Sequence, residues 1–328
     1  MRRPGTLLAV AGLLFAAFLF WQEDLGAIAS LLAGAGAGLV VAGLVHVLPM
    51  ALNTIAWHRL FAPRTRISSR RLLWATWARE SVNGLLPVMR IGGEIVAYRV
   101  VRGGSHDGAE VAATLIVDVA MSMLTQAAFT VLGLALLLLH GVPLALAAQV
   151  AIAGAVLVAL GAAFVAVQRA GIAGGAARLL DRFVAGRLER AIAGSERVDV
   201  AIAHVYARRS GVAKCAAWQL LGWIAGAAEI WLALHFIGQP RSFVDAIVIE
   251  AIVQAVSSVA FVVPGALGVQ EGAFLLLGAA VGLDGSSALA LAAARRVRDL
   301  VVFFPGLAAW HWAEARLAHD ARRASRSS

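Results

Sequence analysis

The sequence predicts an all-α polytopic membrane helix bundle, and three observations carry that expectation. The chain of 328 residues is 61% hydrophobic and only 14% charged, with a mean hydropathy of +0.82, whereas a soluble domain is about half apolar and a quarter charged. Its apolar residues gather into eight long stretches, and Lys and Arg collect in the short segments between them. Ala, Leu, Val and 33 glycines dominate the stretches, a composition that suits helices packed closely through small residues rather than the alternating strands of a barrel. One integral membrane domain spanning 1–328 is expected.

In order, the stretches run over 5–21, 27–57, 72–98, 111–139, 142–167, 212–237, 243–282 and 286–312. About 20 residues cross the hydrocarbon, so six of them are expected as simple crossings. The first, preceded by Arg2 and Arg3, also has the look of a signal peptide with Ala27-Ile28-Ala29 as its small-residue site. Glu23 and Asp24 favour a loop between two spans instead. The third stretch holds Arg79, Glu80, Arg90 and Glu94 around Pro87, and the seventh holds Pro264 and several glycines around Glu271. Proline, glycine and charge at membrane depth point to broken or re-entrant helices, which need protein or a water-filled cavity to cover their backbone.

Formal charge is +9. The basic residues lie between apolar runs without interleaved aromatics, so the excess reads as loop charge and not as a nucleic-acid footprint. Twenty-one Lys and Arg fall in the two termini and the segments 59–71, 99–102 and 169–209, against one, Arg241, in the opposite set. This asymmetry predicts a multi-pass protein of the cytoplasmic (inner) membrane with both termini cytoplasmic. Trp21, Trp57, Trp74, Trp310 and Trp312 near span ends fit interfacial aromatics or core. Segment 169–209, with eight Arg and four acids among Leu, Ile, Val and Phe, reads as a basic amphipathic hairpin on anionic headgroups or as a solvated linker. The lone Cys215, inside an apolar run, reads as a small buried hydrophobe.

An internal match organises the chain. Ser81-Val82 and Pro87 followed by Glu94 recur, without a gap and 177 residues later, as Ser258-Val259 and Pro264 followed by Glu271. Each copy has glycines before its glutamate: Gly92 and Gly93 in the first, Gly265 and Gly268 in the second. Each lies in the broken stretch of its half, and the charge count gives the halves opposite orientations. An inverted-topology repeat is therefore expected, with 1–140 and 141–328 as its two copies; secondary transporters use that arrangement to build a midplane site from discontinuous helices. The alternative is two unrelated proline-containing hairpins.

An ionisable side chain at the bilayer centre costs at least about 2.5 to 3.5 kcal/mol, so each one kept there is expected to have a partner or a task. Candidate binding or gating residues are Asn83, Pro87, Arg90, Gly92, Gly93, Glu94, Pro264, Gly265, Gly268, Gln270, Glu271, Arg295 and Arg298. Guanidinium forks could hold a phosphate or carboxylate of a lipid head; alternatively, Arg79 and Arg90 pair with Glu80 and Glu94 to lock a hairpin. Arg79, Asp118, Arg296 and Asp299 are expected in intramembrane ion pairs, and the 177-residue offset sets Asp118 opposite Arg295, suggesting that those two meet. Glu229 and Glu250 read as proton-coupling groups or as helix–helix hydrogen bonders.

No H-E-x-x-H, C-x-x-C or G-x-S-x-G motif occurs. The eight histidines are scattered, and His46, His58 and His235 have no second ligand at i+4, so neither metal nor other cofactor is expected.

Asn83-Gly84-Leu85-Leu86-Pro87 with Gly92-Gly93-Glu94, and Val263-Pro264-Gly265-Ala266-Leu267-Gly268-Val269-Gln270-Glu271-Gly272, resemble the lysylphosphatidylglycerol-synthase transmembrane-region superfamily over nearly the whole chain. The greatest likeness is to its hopanoid-biosynthesis-associated, HpnL-type members. The resemblance implies a multi-spanning flippase-like fold handling an amphipathic lipid, anionic or hopanoid-related, with either a homo-oligomer or lipid-pathway enzymes as further partners. The two-part members of that superfamily carry a soluble aminoacyl-transferase domain. The longest polar segment here is about 40 residues, below the minimum of about 50 for a domain, so aminoacyl transfer and a tRNA partner are not expected. A membrane-embedded lipid-modifying enzyme and a scaffold for a lipid-pathway complex are the alternatives.

Overall fold

A computed structural model describes residues 4–86, 92–103, 106–138, 144–169, 189–259, 263 and 266–314, and these are helical apart from short connections. Helix α1 (Pro4–Gln22) meets α2 (Leu25–Ala35) at 97°. Asp24 forces the corner, because its carboxylate accepts the Ala27 N–H at 3.0 Å and starts a new helix. Gly36, at φ +47°, ends α2; the left-handed region suits glycine there. Helix α3 (Gly38–Leu44) then runs into α4 (Val47–His58). At their joint Pro49 has no N–H for the Val45 carbonyl, and the Leu48 N–H takes it at 2.9 Å. The result is a tight turn that carries His46.

Helices α5 (Ser69–Leu85) and α6 (Gly92–Arg102) pack side by side as a hairpin. Gly93 permits it: a Cβ there would collide with the Arg79 carbonyl and the Asn83 side chain. Helix α7 (Gly108–Leu138) has 31 residues, about 46 Å at 1.5 Å per residue, and so outreaches a hydrocarbon core of about 30 Å. Around it lie α8 (Leu144–Arg169), α9 (Glu189–Ala207), α10 (Arg209–Phe236) and α11 (Phe243–Val259). Helices α12 (Val269–Ala280) and α13 (Gly285–Arg298) follow, and a π-helical turn, Asp299–Phe303, joins α13 to a last helix over 304–314. The π turn precedes Pro305, whose missing N–H relaxes the helical register.

Two cores hold the bundle. One gathers Trp57, Leu60, Leu72, Ala97, Val111, Val117, Ile202 and Cys215 from α4–α7, α9 and α10. The other gathers Leu39, Ile230, Leu234, Ile249, Phe274, Leu277 and Leu289 from α3 and α10–α13. Each core therefore draws on both expected copies, 1–140 and 141–328. The outer surface carries exposed Phe15, Leu138, Ile152, Leu160, Leu300 and Phe304, as a lipid-facing bundle should. Trp57 is fully buried against α7, while Trp21 and Trp312 are exposed.

Among the described residues, three helical segments are long and apolar enough to cross a membrane: Gly38–His58, Gly108–Leu138 and Arg209–Phe236. There are four if bent α1–α2 forms one span. This revises the expected six simple crossings. The 27–57 stretch is divided at Gly36, and the last stretch carries Arg295, Arg296, Arg298 and Asp299 within its helices. The two charged stretches do each contain two helices, α5 with α6 and α11 with α12. Leu86 is extended after α5, and Ala266 (φ +48°) and Gly268 (φ +77°) precede α12. Pro87, Arg90, Pro264 and Gly265 lie outside the described residues, as does most of the basic segment 169–209 before α9.

Candidate functional site: a buried charge network

Charged side chains that hydropathy would exclude from a bilayer meet inside the bundle in two clusters. The first is built on α5, which presents Arg79, Glu80 and Asn83 within one turn. Arg79 Nη1 donates to Asp118 Oδ2 of α7 at 2.8 Å and lies 3.6 Å from Glu94 Oε2 in the first turn of α6. Gln219 of α10 donates to Asp118 Oδ1 at 2.8 Å. The Trp57 ring lies 5.6 Å from the Arg79 guanidinium carbon. Asn83 fixes the hairpin by accepting the Gly93 N–H at 2.9 Å and donating to Glu94 at 3.5 Å. Pairing with Arg79 offsets the desolvation of Asp118, which is 2% exposed.

The second cluster is built on α13 and the π turn. Arg295, also 2% exposed, donates to Glu250 of α11 and lies 3.8 Å from Glu229 of α10. Arg296 donates to Glu271 of α12 at 2.7 Å and lies 3.4 Å from Asp299. Arg298 pairs with Asp299 at 2.5 Å and with Glu229 at 3.7 Å. Glu271 is held by the opening of its own helix, since its other carboxylate oxygen accepts the Gly268 N–H at 2.8 Å. Gly43 lets α3 approach α13 closely, 3.1 Å separating its would-be Cβ from Arg298 Cα. The π turn places the Phe303 ring 4.9 Å from the Arg298 guanidinium and edge-on to His46 at 5.4 Å.

His46 joins the clusters. Its Nδ1 lies 3.0 Å from Glu229 Oε2 and its Nε2 lies 3.6 Å from Glu80 Oε2. The network thus runs from Asp118, Arg79, Glu94 and Glu80 through His46 to Glu229, Arg295, Arg298 and beyond. Its most open side chains are Arg296 and Glu94, 29% and 28% exposed. Among the described residues, Arg295 Nη1 and Glu94 Oε2 are buried without a hydrogen-bond partner, as is Gln270 Oε1. Unsatisfied polar atoms in low dielectric are costly and favour a ligand or a second arrangement.

The expected meeting of Asp118 with Arg295 is corrected. Asp118 pairs with Arg79 of α5, and Arg295 is taken by Glu250 and Glu229. A repeat offset relates positions in the sequence, whereas an ion pair needs its atoms within about 4 Å, and it is Arg79 rather than Arg295 that reaches Asp118. Glu94 and Glu271 share a setting nonetheless: each occupies the first turn of the second helix of its charged stretch and faces an arginine. Glu229 and Glu250 are both network members. The sequence presents His46 only as a candidate metal ligand without a second ligand at i+4, and no group of metal-binding side chains occurs among the described residues. The signal that would have found it is the one that found Glu229, an ionisable residue inside an apolar run.

The family described as the lysylphosphatidylglycerol synthase TM region matches residues 6–306. No curated protein and no solved structure matches the chain.

Proposed function

Because the chain belongs to the lysylphosphatidylglycerol synthase TM region family, we propose that it moves the polar head of an amphipathic lipid between leaflets of the cytoplasmic membrane, along the buried charge network. The observation that supports this is a connected track of ionisable side chains drawn from seven helices, the α3–α4 turn and the π turn, opening at Glu94 and at Arg296. Such a track substitutes fixed charges for the water a headgroup loses in the hydrocarbon. Arg296 and the unsatisfied Arg295 Nη1 suit a phosphate or carboxylate head. The wide apolar outer face leaves the lipid tails in the bilayer. In this reading the two Pro/Gly/Glu stretches form an inverted-topology pair, both termini are cytoplasmic, and a hopanoid-type lipid is a substrate alongside anionic phospholipid.

Reconstitution into unilamellar vesicles containing fluorescently labelled phosphatidylglycerol tests it. Dithionite added outside should bleach the inner-leaflet probe in vesicles holding the protein, and much more slowly with Glu271→Gln or Arg296→Gln. Equal bleaching in protein-free vesicles and in vesicles holding the protein would refute lipid movement. A chemically altered lipid recovered from detergent micelles would favour an enzyme.

A further inference from the structure

We propose that His46 is a proton-operated latch that ties the two charge clusters together when its ring carries both protons and releases them when it loses one. The proposal rests on the lipid-movement reading for its consequence but not for its geometry. His46 sits in the turn between α3 and α4 and touches carboxylates on two different helices, Glu229 of α10 at 3.0 Å and Glu80 of α5 at 3.6 Å. Both partners accept only, when ionised. A ring with one N–H must therefore turn a lone pair toward one of them, and only the doubly protonated ring can serve both. The longer contact, to Glu80, is the one that opens first.

The charge balance points the same way. Among the described residues the network holds seven carboxylates, Glu80, Glu94, Asp118, Glu229, Glu250, Glu271 and Asp299, against four guanidiniums, Arg79, Arg295, Arg296 and Arg298. An excess of buried negative charge calls for protons, and His46 stands where the two clusters meet. The groups that face it are Glu80 from α5, Glu229 from α10 and Arg298 from α13, with Asp299 of the π turn behind Arg298. A proton arriving at Nε2 forms the N–H that points to Glu80, and its departure removes that link between the two clusters, leaving α5 tied to α10 only through Arg79, Asp118 and Gln219. The hairpin that carries Glu94 can then shift against the second cluster. Unperturbed histidine is the side chain whose titration falls between about pH 5 and pH 8, and the test therefore spans that range.

The test uses the full chain in vesicles with the same pH on both sides and fluorescent phosphatidylglycerol as the probe. Wild-type movement should quicken by roughly fivefold or more as pH rises from about 5 to 8. His46→Gln, which can donate to one carboxylate at a time, should lock the rate at one value across that range. Glu80→Gln removes the negative charge of one of the two partners while keeping an acceptor, and should shift the midpoint about one pH unit lower; it also decides the matter if His46→Gln does not fold. In parallel, the 15N-histidine resonance that vanishes in His46→Gln should titrate with the midpoint of the rate. A titrating resonance with no lipid movement at any pH would refute transport and leave the latch standing. Lipid movement that is flat with pH, faster on the acid side, or still pH-dependent in His46→Gln would overturn the latch. So would a His46 resonance that does not titrate between about pH 5 and pH 8.

Discussion

Arg79 on α5 and Asp118 on α7 form a buried ion pair, 2.8 Å from Nη1 to Oδ2, and Gln219 of α10 holds the second carboxylate oxygen at the same distance. Three helices are thereby tied at one point, although their residues lie 39 and 101 positions apart.

Breaking one side of that pair should be worse than removing both. Asp118→Asn leaves the Arg79 guanidinium with only the longer ionic contact to Glu94 and should lower stability by up to the about 3 to 5 kcal/mol of a fully broken buried pair. Thermal unfolding in detergent would show it as a large drop in Tm. The double variant Asp118→Asn with Arg79→Gln should recover much of the loss, and a double-mutant cycle reads the coupling. Purely additive changes would mean that the residues do not meet in solution.

Glu271 has two separable tasks, pairing with Arg296 and accepting the Gly268 N–H at the start of α12. Glu271→Gln keeps an acceptor for the N–H and removes the charge, so folded protein should remain while lipid movement falls. Glu271→Ala also loses the cap and should be less stable than Glu271→Gln by about 1 kcal/mol. Comparable melting of the two variants would exclude the capping role.

Gly93→Ala adds a Cβ where the Arg79 carbonyl and Asn83 side chain already lie. Overpacking of this kind costs about 1 to 3 kcal/mol, and here it separates α5 from α6. Cysteines placed at positions 82 and 96, whose valines share one small core, should crosslink in the wild-type background and much less with Gly93→Ala. Undiminished crosslinking would show that the hairpin tolerates the methyl group.

Asp284, in the connection before α13, caps that helix by accepting the Ser287 backbone N–H at 2.8 Å. That hydrogen bond holds its carboxyl below the usual aspartate range. Since the folded value is the lower one, the stabilisation is present above the unfolded value of about 3.9 and fades as pH falls through the folded value. Asp284→Ala should cost about 1 kcal/mol at neutral pH. Asp284→Asn should keep the cap and lose this contribution to acid sensitivity, as melting at neutral and acid pH would report. Equal acid sensitivity in wild type and Asp284→Asn would rule it out.

Composition, the crowding of Arg into connecting segments and the placement of Pro, Gly and charge determined that this is an all-helical membrane protein whose 72–98 and 243–282 stretches are not simple spans. Those features are local, since the cost of an apolar or charged residue in hydrocarbon depends on its own chemistry. Glu94 and Glu271 were marked as singular for the same reason, and each does sit at the start of a helix facing an arginine. Tertiary structure alone decided the partners. Asp118 takes Arg79 rather than Arg295, Gly36 divides the apolar run 27–57 that a hydropathy window leaves whole, and His46 comes to stand between Glu80 and Glu229. An ion pair needs its atoms within about 4 Å, and that distance is set by which helices pack and at what angle, a property of the whole bundle that no single segment of sequence carries.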